Sequence, residues 1–236
     1  MKKIAAFAGL SLLAVGAFAQ TNLQVFYDFG ENRKHVTTTL EMFKADKWGD
    51  TFFFVDYDYT TKDQRDASDY RGAKGSYMEI ARAINFWQDS QLAPLSLHVE
   101  WNGGVMIPQN WLFGVNYFIH SADFANTLTL EAMYKTFCYD DASDCPIQLT
   151  AVWGLNNIFG VQGLNFSGFA DFWGQNNYWG TDKTEWVFIS EPQLWYNIGS
   201  LFGCENFNVG GEIELSNNFC EKGFCVNPCL GVKWNF

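Results

Sequence analysis

The stretch Leu95-Ser96-Leu97-His98-Val99-Glu100-Trp101-Asn102 sets two chemistries against each other with a period of two. Leu95, Leu97, Val99 and Trp101 share one face, while Ser96, His98, Glu100 and Asn102 share the other. Successive strand side chains point to opposite sides of a sheet, so this segment divides an oily surface from a wet one. A helix would scatter the same residues around its circumference. The pattern predicts a strand with both faces committed.

The alternation recurs along the chain. Leu128, Leu130, Ala132 and Tyr134 oppose Thr129, Glu131, Met133 and Lys135. Val209, Ile213 and Leu215 oppose Asn208, Glu212 and Glu214, and Leu230, Val232, Trp234 and Phe236 oppose Gly231, Lys233 and Asn235. Turn signals separate about twelve such segments, at roughly 22–29, 35–46, 51–59, 75–87, 94–103, 110–120, 127–137, 146–155, 163–174, 184–198, 206–216 and 225–236. No amphipathic helix, linker or low-complexity stretch interrupts them. One domain over residues 20–236 accounts for the pattern.

Composition narrows the classes. Of 236 residues 48% are hydrophobic, yet mean hydropathy is −0.13. No later stretch approaches the ~18 apolar residues of a membrane-spanning helix. Aromatics make up 18% of the chain, with 23 Phe, 10 Trp and 10 Tyr, which argues for a folded, β-rich protein rather than disorder. A net charge of −11 without any Lys/Arg cluster excludes nucleic acid as a partner. Residues 1–19 read as a secretory signal: Lys2 and Lys3 start it, Ile4 to Val15 form its apolar region, and Ala17-Phe18-Ala19 form the cleavage site.

Soluble barrels and sandwiches also alternate, so three further features decide for a membrane. Connections that would face outward (Thr60–Lys74, Gly103–Gln109, Cys138–Cys145, Gly174–Lys183) look longer than Lys47–Asp50, Gln88–Ala93 and Ser121–Asn126, as in outer-membrane barrels. Tyr57, Tyr59, Tyr77, Trp101, Trp111, Tyr134, Trp173 and Trp186 fall at one set of strand ends, and Trp87, Trp153, Tyr196, Trp234 and Phe236 at the other. Two belts of amphipathic rings match two bilayer interfaces. Finally, Gly231-Val232-Lys233-Trp234-Asn235-Phe236 alternates to a terminal Phe, which resembles the signal that barrel-assembly machinery reads in bacterial outer-membrane proteins. The expected fold is all-β: a single 12-stranded antiparallel transmembrane β-barrel in the outer membrane of a Gram-negative cell, exported through the periplasm and monomeric.

Two segments carry a family resemblance. Thr38 to Asp56, in which a Glu41-bearing strand turns through Lys47-Trp48-Gly49-Asp50 into Thr51-Phe52-Phe53-Phe54-Val55-Asp56, resembles a stretch of the nucleoside-specific channel-forming (Tsx-like) outer-membrane porins. Tyr77-Met78-Glu79-Ile80-Ala81-Arg82 is similar to that family's next strand. With Trp234-Asn235-Phe236, the direct resemblance covers about a fifth of the chain. It implies a twelve-stranded barrel with a narrow aromatic and ionisable lumen that passes nucleosides. Six cysteines and compact loops depart from that family.

The inward faces should carry Glu41, Asp56, Asp58, Glu79, His98, Glu100, Glu131, Lys135, Asp171, Glu191, Glu212, Glu214 and Lys233, along with Phe26, Phe52, Phe54 and Met133. Acids dominate, so anions should be repelled while neutral or cationic solutes pass. Phe rings beside carboxylates suit a flat base and a ribose, which makes Glu41, Phe52, Phe54, Asp56, Glu79, His98 and Glu100 the candidate substrate-binding residues. Arg82 alternates outward, a costly place in lipid, so either a bulge turns it inward or the register shifts there. His35, His98 and His120 lie on separate segments with no Ser-bearing motif, so neither an enzyme, a cofactor nor a metal site is expected. In an exported chain Cys138 with Cys145, and Cys220 with Cys225, are candidate loop-tying disulfides. The alternatives are a channel for another solute class, such as oligosaccharides, and a non-conducting structural or surface-exposed barrel.

Overall fold

Backbone pairing runs without a gap around a closed ring. The computed structural model describes residues 20–31, 33–68, 70–105, 107–138 and 143–236; the expected export signal at 1–19 lies outside them. Strands β1 (Gln20–Asp28), β2 (Val36–Asp46), β3 (Gly49–Tyr59), β4 (Ala73–Ile84), β5 (Leu95–Val105), β6 (Ile107–His120), β7 (Asn126–Lys135), β8 (Ile147–Leu155) and β9 (Leu164–Trp179) each pair antiparallel with the next. Then come β10 (Asp182–Ser190), β11 (Gln193–Asn197), β12 (Phe207–Asn217) and β13 (Phe224–Asn235). Both β10 and β11 lie between β9 and β12, so they are two halves of one stave broken at Glu191-Pro192. Closure comes from β1 on β13, with Val25 opposite Val232 and Phe26 opposite Gly231. The result is a closed 12-stranded antiparallel β-barrel.

Pro192 explains the break. Proline has no N–H to give a ladder, and Gly168 faces it at φ +150°, where a Cβ would lie 2.4 Å from the Glu191 carbonyl. Glu191 N–H still donates to Phe169 O (3.1 Å), and Pro192 O accepts from Ile213 N–H (3.1 Å). The wall is kinked but sealed.

Alternation holds around the ring. On β1, Asn22, Gln24, Phe26 and Asp28 are buried inside while Leu23, Val25 and Tyr27 are exposed outside. Leu40, Ile80, Leu97, Val115, Leu130, Leu149, Leu194, Ile213 and Leu230 continue the outer apolar surface. That surface lacks a partner in water, and in a bilayer it needs none. The shortest staves have 9 residues, β1 and β8, enough to cross a hydrocarbon layer when tilted.

Three expectations need correction. Tyr77 and Trp173 do not belong to an outer aromatic belt: Tyr77 is paired with Asp56 and Trp173 with Gln148, both on inward faces. Tyr57, Trp101, Trp111, Tyr134 and Trp186 remain outside toward one rim, and Trp153, Tyr196 and Trp234 toward the rim carrying the chain termini. Loop lengths do not sort by rim either. Most of Gly103–Gln109 and Gly174–Lys183 is strand, leaving tight turns beside the long connections 60–72 and 136–146, while the terminal rim carries connections nearly as long at 85–94, 156–163 and 198–206. The β3–β4 connection even holds a short helix, α1 (Lys62–Ala67), with a Thr61–Gln64 capping box.

Arg82 is outward without any bulge, because its pairing with Thr51 and Val99 is regular. It sits at the terminal rim, where its guanidinium reaches Asp46 (2.8 Å) and Thr51 Oγ1 (2.9 Å). Position along the strand, not a flip of register, makes the charge tolerable there.

An arginine in mid-band has no such partners. Leu130→Arg, at the centre of β7, should destabilise the barrel in lipid vesicles by about 2–4 kcal/mol in denaturant titrations. A cost near zero would mean that this face meets water.

Candidate functional site: the barrel interior

Two apolar clusters occupy one half of the interior. Phe26, Trp195 and Cys229 pack together from β1, β11 and β13, with the Phe26 and Trp195 rings 5.6 Å apart. Trp173, Val187 and Ile189 form the second on β9 and β10, with Phe169 and Phe219 against them. Each indole carries a lysine over its face: Lys135 Nζ lies 4.0 Å from the Trp173 ring and Lys233 Nζ 4.3 Å from Trp195. Such contacts hold a buried ammonium by the ring quadrupole, and Gln148 Oε1 adds a hydrogen bond to Lys135 at 3.2 Å. The indole N–H groups are satisfied in turn, Trp173 by Gln175 (2.7 Å) and Trp195 by Gln193 (2.8 Å).

The opposite wall, on β2 to β4, is different. Phe52, Phe54 and Tyr77 pack in series as tilted rings, with centroids 5.9 and 5.7 Å apart. Carboxylates interleave with them. Tyr77 O–H donates to Glu79 Oε2 (3.1 Å), Thr39 donates to Asp56, and Asn22 donates to Glu41 Oε1 (2.9 Å). Glu41, Phe52, Phe54, Asp56, Tyr77 and Glu79 are all half-buried, so water reaches an acid–aromatic strip. Asp171 and Glu212, on the far staves, are also half-buried.

Register brings five of the seven predicted substrate-binding residues together: Glu41 pairs with Phe54, and Phe54 with Glu79, while Phe52 and Asp56 flank Phe54. His98 and Glu100 lie on the adjacent stave β5, Glu100 opposite Ala81 and so beside Glu79 on the inward face. Both are inward, at 7% and 5% exposure, and His98 contacts both Glu100 and Glu131. Sequence reasoning did not single out Tyr77, Lys135 or Trp173 as site residues. Lys135 and Trp173 lie on strands two apart in the ring, a proximity that only the register reveals.

At the rim away from the termini, Arg33 bridges two acids, Asp28 (3.3 Å) and Glu214 (2.7 Å). Burial works against its charge, but Glu214 and Asp28 outweigh it and hold its pKa above the usual arginine value. His35 Nε2 lies 3.2 Å from Asp58 beside it. These contacts tie β12, β1 and β3 together on one side of the mouth. Cys138–Cys145 and Cys220–Cys225 are not bridged, and all six thiols are free. Cys138 lies by the outer groove of Gly103 and Gln109, whereas the Cys145 backbone leans on Gly174 of β9, so the two diverge. Cys225 is committed to the inner face of β13 opposite Ser216, and Cys220 stays exposed in the preceding loop.

Comparison with known proteins places the chain. Residues 19–236 match the model of a domain of unknown function, DUF5020. The chain belongs to that family. No curated protein sequence matches it. Among solved structures, the NanC porin superposes with a TM-score of 0.57 at 9% identity, over 92% of this chain and 100% of that one. The KdgM porin superposes with a TM-score of 0.52 at 9% identity, over 92% and 99%. At such identity these likenesses establish the porin-type barrel fold. They do not establish a nucleoside-specific channel.

The Arg33 bridge yields a stability test. Arg33→Ala leaves Asp28 and Glu214 as unpaired buried charges and should cost about 3–5 kcal/mol in denaturant titrations. Adding Glu214→Gln should recover part of that loss. No recovery would mean that the arginine acts by packing.

Proposed function

We propose that this barrel is a passive outer-membrane channel for small neutral or cationic solutes, with its terminal rim toward the periplasm. The observation that carries this reading is the water-accessible strip of Glu41, Phe52, Phe54, Asp56, Tyr77 and Glu79, faced by further carboxylates. Buried charge is costly, and a soluble barrel that only needed a core would fill this space with apolar side chains. Acids clustered in a low-dielectric pore attract cations and repel anions. The lysines of the inner wall are held over indoles rather than presented to an entering anion. One KdgM porin structure is of a complex with oligogalacturonate, a polyanion. An acid-lined wall is a poor match for such a ligand.

Among neutral solutes, flat rings with hydroxyl-bearing substituents fit best. Rings of the Phe52–Phe54–Tyr77 series offer stacking faces, and Asp56, Glu79 and Glu41 accept hydrogen bonds beside them. Nucleosides have this chemistry, in line with the resemblance of Thr38–Asp56 to nucleoside channels.

A second reading rests on Leu112, Met133, Trp173 and Trp195, which are 0%, 2%, 6% and 1% exposed inside the barrel. If these side chains close the cross-section, the protein is a non-conducting structural barrel. Liposome swelling separates the two. Proteoliposomes should admit adenosine faster than a hexose, although the hexose is smaller, and should exclude a uronate. Phe54→Ala should remove the preference for adenosine while leaving hexose entry. Equal exclusion of all three solutes would support the structural barrel. Equal entry of adenosine and hexose would leave a general channel.

A further inference from the structure

On the inner face of β5 to β7 the barrel holds a group that the channel reading does not use. His98, Glu100 and Glu131 each place a ligating atom within 4.8 Å of the others. His98 of β5 is paired with Gly114 of β6, and its side chain reaches Glu131 of β7, the strand beyond. Its Nε2 lies 3.4 Å from Glu100 Oε2, and Glu100 Oε1 is anchored by the Asn102 amide at 3.0 Å. The other ring nitrogen points to Glu131 Oε1 at 3.6 Å, too far for a hydrogen bond.

That Nδ1 is a fully buried polar atom without a hydrogen-bond partner, on a side chain 5% exposed. Asn116 of β6 is paired with Glu131 of β7, and its Oδ1 is a second buried atom without a hydrogen-bond partner. A buried imidazole nitrogen without a hydrogen-bond partner thus faces a carboxylate at 3.6 Å. An orphaned buried nitrogen costs free energy, and a cation between it and the carboxylate relieves both.

We infer that His98 Nδ1 and Glu131 form a binding site for a divalent first-row transition metal, with Glu100 holding the imidazole through its other nitrogen. Spacing fits this assignment. Tetrahedral ligands about 2.1 Å from zinc stand about 3.4 Å apart, and the His98–Glu131 gap of 3.6 Å needs only a small contraction. Glu100 accepting from Nε2–H is the arrangement that fixes the tautomer of a metal-bound histidine and raises its basicity. Mixed nitrogen and oxygen donors favour zinc, manganese or iron over calcium. Asp50 of β3 adds negative charge within electrostatic range of both His98 and Glu131. The ion would tie β5 to β7 across β6, a fastening inside the barrel wall.

The test uses the detergent-purified full barrel, stripped with a chelator and titrated with zinc by calorimetry, with calcium as control. One equivalent of zinc should bind saturably, and calcium should not displace it. His98→Gln and Glu131→Gln should each abolish saturable uptake, and Glu100→Gln should weaken it about 10–100-fold. Far-ultraviolet circular dichroism checks that each variant folds. Should the glutamine variants not fold, His98→Cys loaded with cobalt should show a thiolate-to-cobalt charge-transfer band. Absence of zinc uptake by the wild type, uptake unchanged in the folded glutamine variants, displacement by calcium, or a cobalt-loaded His98→Cys without that band would each overturn the assignment.

Discussion

The pairing of β1 with β13 is the constraint on which the rest depends. In hydrocarbon every backbone N–H and C=O needs a partner within the protein, and an open sheet would leave two edges bare. Val25 opposite Val232 and Phe26 opposite Gly231 close that ring. Once it is closed, each residue has only two destinations, lipid or lumen, and the side-chain alternation becomes compulsory. Gly231 shows how tight this seam is: a Cβ there would lie 2.6 Å from the Phe26 ring.

Closure also creates an interior that must be both packed and wet. On β9 to β13 the balance falls toward packing, with Trp173 and Trp195 each covering a lysine. On β2 to β4 it falls toward water, with the Phe52–Phe54–Tyr77 series left half-exposed beside carboxylates. The two halves answer different needs. Well-packed aromatics brace a thin wall, while a stretch of hydrated acids gives a solute somewhere to bind weakly and leave.

Much of this was legible in the sequence because a period of two survives any tertiary context that keeps one face in lipid. The Leu95–Asn102 segment, the Leu128–Lys135 segment and the terminal strand all sit in the faces read from their alternation. Aromatics were less readable, since Tyr and Trp serve interfaces and lumens alike; Tyr77 and Trp173 face inward for reasons that appear only with register. Arg82 looked misplaced because alternation gives a side but not a depth. Asp46, 36 positions earlier, makes it tolerable at the rim. The cysteine spacing misled for a similar reason: proximity in sequence does not fix which way Cys138 and Cys145 lean. The Glu41–Phe54–Glu79 grouping was foreseeable from neighbouring hairpins, whereas the His98–Glu131 approach across Gly114 was not.

The central claim is that an acid-lined, water-filled path runs through the barrel. Reversal potential of single channels in a planar bilayer, under a potassium chloride gradient, tests it most directly. An acidic lumen predicts discrete conductance steps and a reversal potential displaced toward that of potassium, with the displacement reduced by Asp56→Asn combined with Glu79→Gln. A reversal potential at zero or on the chloride side, or a bilayer that never conducts, would contradict it.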